Sequence, residues 1–82
     1  MAAVTEVGDR LLTDIGSQHM VQQTITVVTT ADTWIPGLRS ITSCGTNDPG
    51  GITKAAPNTD EPPAVVMTGT GTSVRAWAIG SP

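Results

Sequence analysis

VQQTITVVTT, residues 21–30, decides how the rest of the chain is read. Valine, isoleucine and threonine branch at Cβ, which stiffens χ1 and favours the extended backbone. Ile25 and Val27 point one way and Thr24 and Thr26 the other, the period of two expected of a strand with one buried face. Threonine-rich runs recur in SITSCGT and MTGTGTS, so the same logic spreads along the chain. Downstream, Asp32 and Trp34-Ile35-Pro36-Gly37 mark a turn, because proline fixes φ and glycine accepts positive φ. Residues 38–44, LRSITSC, alternate weakly and read as a short strand. Residues 64–68 and 72–80 read as two more, hinged on Gly69-Thr70-Gly71. In the last of these Val74, Ala76 and Ala78 face one way and Arg75, Trp77 and Ile79 the other.

Between these strands lies 45–63, GTNDPGGITKAAPNTDEPP, with a strong Asn-Asp-Pro-Gly-Gly turn signal and a proline-rich remainder. It reads as one long loop, with room for a brief strand around Ile52. The first twenty residues leave three readings open. Val4, Val7, Leu11 and Ile15 recur at helical spacing, with Thr5 as a cap and Gly16 as a stop. Gly8 weakens a helix by about 1 kcal/mol, and LLTDI also alternates as a strand. An arm that orders only on a partner is the third reading. The expected architecture is all-β, a small antiparallel sandwich or open barrel over 21–82, with 1–20 as an N-terminal arm or short helix.

Size constrains function. Eighty-two residues make one domain, and such a chain buries only about 60–65% of its unfolded surface. Aromatics are 2% of the chain and charged residues 13%, about half the usual roughly 25%. Light cores of this size lean on disulfides, metals or oligomerisation. A lone Cys44 excludes an internal disulfide, and His19 with Cys44 is too small a ligand set for structural zinc. Oligomerisation, or docking on a larger partner, remains.

The net charge of −3 and the scatter of Arg10, Arg39, Lys54 and Arg75 argue against a nucleic-acid partner. The opening MAAVTEVGDR has neither the charge order of a signal peptide nor the apolar run of a membrane helix, so no membrane partner is expected and synthesis in a reducing cytoplasm is.

Catalytic signals fail one by one. Gly69-Thr-Gly71-Thr-Ser lacks the third small residue and the helix of a dinucleotide turn, and Lys54 lacks the glycine frame of a phosphate loop. Ser17, His19 and Asp14 are close in sequence, whereas triads are assembled from distant segments. Cys44 reads as a small buried hydrophobe. Asp60 and Glu61 adjoin on an exposed loop, which solvates both, and NDPGG runs out of acids for a calcium loop. No cofactor and no enzymatic activity are expected. The tryptophans keep three readings: core, protein interface, or a platform for a sugar ring.

The short Ala/Val/Thr-rich N-terminal segment, the Thr/Val strands, the long Pro/Gly loop and the C-terminal hairpin together resemble the small decoration, or cement, proteins of tailed-phage capsids. The resemblance is one of composition and architecture across the whole chain. It implies a non-catalytic virion protein, made in the host cytoplasm, that binds the major capsid protein or another virion protein as a homo-oligomer, with a trimer favoured. Candidate interface residues are Val4, Val7, Leu11, Trp34, Arg75, Trp77 and Ile79. The alternative is a small tail or baseplate protein, or a receptor- or carbohydrate-binding module using Trp34 and Trp77.

Overall fold

The computed structural model describes residues 3–47 and 51–82. They form eight strands and no helix: β1 (Thr5–Glu6), β2 (Leu11–Ile15), β3 (Gln18–Val27), β4 (Thr33–Trp34), β5 (Ser40–Thr46), β6 (Ile52–Pro57), β7 (Val65–Gly69) and β8 (Gly71–Ser81). One antiparallel sheet runs β1-β3-β8-β5, with β2 also on β3, and a smaller one runs β4-β7-β6. The sheets do not close into a barrel, so the chain is an all-β, sandwich-like domain. Ala3 bridges to Thr33, and the Val4 amide donates to the Thr33 carbonyl at 2.9 Å before the chain crosses to β3. The N-terminal segment thus ties the two sheets together along one side.

Alternation in β3 and β8 sorts their residues as the period of two requires. Val21, Ile25 and Val27 on β3, and Val74, Ala76 and Ala78 on β8, are buried. The smaller sheet supplies Trp34, Ile52, Val65 and Met67 to the same cluster. Small side chains on β8 leave room there for the large Trp34 and Met67.

Of the three readings open for the first twenty residues, the strand is the one found, and the helix over 4–15 does not form. Val4 is buried, but Val7 and Leu11 are 55% and 52% exposed and Ile15 is also exposed, so the apparent stripe serves no common core. Antiparallel pairing with β3 satisfies the backbone instead. Thr5 and Glu6 pair with Thr26 and Ile25, and Leu11–Ile15 pair with 22 back to 18. β1 and β2 are one edge strand interrupted by Val7–Arg10, where the Val7 and Gly8 amides both point to the Thr24 carbonyl at 3.0 and 3.4 Å. This is a bulge, which re-aims the chain without breaking the edge. The boundary drawn at residue 20 falls inside β3.

The loop expected over 45–63 is also shorter than its composition implies. β5 reaches Thr46, and β6 covers 52–57, paired with β7 from Ile52↔Gly69 to Pro57↔Val65. Of the Asn-Asp-Pro-Gly-Gly signal, residues 48–50 lie outside the described residues. The proline-rich remainder is organised by Asn58, whose Oδ1 accepts from the amides of Asp60 and Ala64 at 3.1 and 3.0 Å.

β5 and β8 approach closely at Gly80. A Cβ there would lie 1.7 Å from the Ser40 carbonyl oxygen, an overlap that only backbone movement relieves. Gly80→Ala is therefore expected to cost about 3 kcal/mol and to lower the thermal midpoint by roughly 10 °C or more. A calorimetric midpoint within a degree or two of the parent would contradict the packing at this crossing.

Candidate functional site

The inward row of the five-stranded sheet builds the core, so the outward row is what the molecule presents. On β3 and β8 the outward pairs are Met20↔Ile79, Gln22↔Trp77 and Thr24↔Arg75. β2 extends two of these rows, setting Leu11 opposite Gln22 and Thr13 opposite Met20. β5 completes them on the far side, with Gly45 opposite Trp77 and Ser43 opposite Ile79.

Glycine at 45 determines how Trp77 lies. A Cβ at Gly45 would stand 2.7 Å from Cζ2 and 2.9 Å from Cε2 of the indole, so the ring rests across the bare backbone of β5. Beside it a shallow depression of about 340 Å³ is lined by Met20, Gln22, Asn47, Arg75, Trp77 and Ile79.

Polar groups on this face are engaged with one another. The Arg75 guanidinium donates from Nη2 to Gln22 Oε1 at 3.2 Å and from Nη1 to Thr24 Oγ1 at 3.4 Å. The Gln22 amide nitrogen donates to the Met20 sulfur at 3.0 Å. Asn47 Oδ1 accepts from the Arg75 backbone N–H at 3.1 Å, and the Asn47 backbone N–H donates to the Arg75 carbonyl at 3.1 Å. Arg75 is thereby held along the sheet. Trp77, Ile79, Met20, Leu11 and Ile15 give the face its chemistry, which is apolar with a thin polar net.

Of the expected interface residues, the structure brings Leu11, Arg75, Trp77 and Ile79 together on this face. Val4 and Trp34 are in the core, and Val7 projects from the bulge. Trp34 is 1% exposed and cannot act as a surface anchor in this fold. Its indole N–H donates to Gln23 Oε1 at 2.9 Å. Gln23, itself 3% exposed, donates from Nε2 to Glu6 Oε1 at 2.7 Å and to the Gly8 carbonyl at 2.8 Å. This network fastens the edge-strand bulge to the core. Arg10 joins its rim, donating to the Ile35 carbonyl and lying 3.7 Å from Glu6.

Sequence reasoning missed Gln23, Met20 and Gly45. Gln23 did carry a signal: it falls on the inward register between Val21 and Ile25, where a polar group must find a partner. Met20 also follows from extending the alternation back from Ile25.

The remaining chemical candidates do not converge. His19 Nε2 lies 2.7 Å from Asp14 Oδ1, a cross-strand pair on the β2–β3 hairpin with Asp14 largely in solvent. Cys44 is half-buried, its thiol donating to the Ala55 carbonyl at 3.6 Å, and burial pushes its pKa up. That keeps it a thiol rather than the thiolate that reacts. Among the described residues no three His, Cys, Asp or Glu side chains gather as a metal site.

Fold and face together define an all-β antiparallel domain with an outward apolar face on its five-stranded sheet. Comparison with protein-family models, curated proteins and solved structures finds no match for this chain.

Proposed function

We propose that the chain is a non-catalytic virion structural protein, a decoration protein that docks on the outer shell of a tailed-phage capsid through the outward face of its five-stranded sheet. The observation that carries this reading is Trp77 laid over Gly45 among Met20, Ile79 and Leu11. Tryptophan and arginine are enriched at the hot spots of protein interfaces, and large apolar faces on small soluble chains mark contact sites. The major capsid protein is the partner, and self-association of the decoration protein repeats a modest contact so that avidity holds it in place.

The test is co-sedimentation of the purified protein with shells assembled from the capsid protein encoded alongside it. Saturable binding that raises the temperature of shell rupture is expected. Protein left wholly in the supernatant at high micromolar concentration overturns the proposal.

A saccharide platform is the second reading, favoured by Gln22, Arg75 and Asn47 around the indole. Those groups already bond to one another, which argues for a protein surface. In a Trp34→Phe background Trp77 is the sole tryptophan, and its fluorescence responds to a glycan titration only if sugars stack there.

A further inference from the structure

We infer that β2 is the edge along which a second copy of this chain pairs, antiparallel and centred on Thr13. The inference deepens the self-association in the reading above, and rests on that reading for its purpose. Edge strands are normally blunted with charged side chains, proline or bulges. LLTDI holds no lysine or proline, the bulge at Val7–Arg10 lies before it, and its one charged residue, Asp14, is engaged across the hairpin with His19 Nε2 at 2.7 Å. All five residues are exposed, Leu12 by 59% and Ile15 by 43%, and β3 is the strand they pair with.

The hairpin geometry shows which backbone groups point away from β3. Gly16, with φ +74°, and Ser17 form a two-residue turn closed by the pair Ile15↔Gln18. The closing pair of such a hairpin exchanges backbone hydrogen bonds, and alternation then turns the backbones of Leu11, Thr13 and Ile15 toward β3. Those of Leu12 and Asp14 point outward, to the open edge.

Only one self-pairing uses the whole strand without conflict. Centred on Thr13, the outward backbones of Leu12 and the second copy's Asp14 meet and exchange hydrogen bonds, and the reverse pair does the same. Leu11 then faces Ile15 of the second copy, apolar on apolar, and the two Thr13 side chains meet at a non-hydrogen-bonded pair with Cα atoms about 4.5 Å apart. A shift toward Asp14 sets two carboxylates directly opposite each other. A shift toward Leu12 draws in Asp9 and Arg10, which lie outside the strand, Arg10 being held by Ile35 and Glu6. The Thr13-centred pair joins two five-stranded sheets into one, and Leu11, Ile15, Met20 and Trp77 of both copies form one continuous outward floor. This unit is two-fold, unlike the trimer that the resemblance implies.

The experiment uses the full chain without shells, so its failure is separate from a failure to dock. Sedimentation equilibrium is expected to give the mass of two chains at high micromolar concentration. Thr13→Asp, which places like charges at the centre, is expected to weaken association roughly tenfold or more. In a Cys44→Ser background, Thr13→Cys is expected to oxidise to a covalent pair, because the central Cα separation suits a disulfide. Ile15→Cys in the same background is expected not to, since its own copy is not opposite. A mass of one or three chains, or equal cross-linking of the two cysteine variants, overturns the pairing.

Discussion

Trp34→Ala is expected to leave the chain largely unfolded at room temperature. Truncating a buried tryptophan costs about 3–5 kcal/mol through lost burial and the cavity left behind. A second cost follows here, because Gln23 Oε1 loses its donor while remaining 3% exposed. An orphaned buried acceptor costs about 1–3 kcal/mol. A domain of this length has roughly 4–12 kcal/mol in total; a core this light places it toward the lower end, where losses summing to about 4–8 kcal/mol consume most or all of it. Trp34→Phe separates them: it keeps much of the ring and removes only the N–H, and should cost about 2 kcal/mol while still folding. Urea titrations of both variants by circular dichroism check this. If Trp34→Ala unfolds at the same midpoint as the parent, the indole is not the centre of the core.

The second large effect falls on docking rather than folding. Trp77→Ala removes the half-exposed ring that lies over Gly45 and leaves the inward row of β8 untouched. Truncation of an aromatic anchor at the centre of an interface costs about 2 kcal/mol or more, which is roughly a thirtyfold loss of affinity. Occupancy on shells should therefore fall from about 80% to about 12% when the protein is held about fourfold above its parent dissociation constant. Trp34 is then the only tryptophan, and its unshifted buried emission reports that the fold survives. Full occupancy by that folded variant removes the outward face from the docking mechanism.

The chain by itself determined the all-β class and the two faces of its longest strands. Alternation is a local property: once Ile25 points inward, Val27, Val21 and the outward threonines follow with no knowledge of neighbours. The same holds for Val74, Ala76 and Ala78. Arg75, Trp77 and Ile79 were legible as one outward set for the same reason.

What the tertiary structure alone decided lies where local preference is weak or two periods compete. Val4, Val7, Leu11 and Ile15 fit a helical stripe on spacing alone. Only the ladder offered by β3 makes the extended form win, by satisfying backbone groups that no short helix with Gly8 inside it secures as well. β6 has little alternation of its own and exists because β7 supplies its partner. Trp34 and Trp77 are the same residue type with near-equal sequence credentials. One is sealed by the opposing sheet and bonded to Gln23, while the other lies on bare backbone at Gly45, distinctions made by residues 11 and 32 positions away. Burial is a property of the assembled layers, and no window of sequence contains both of them.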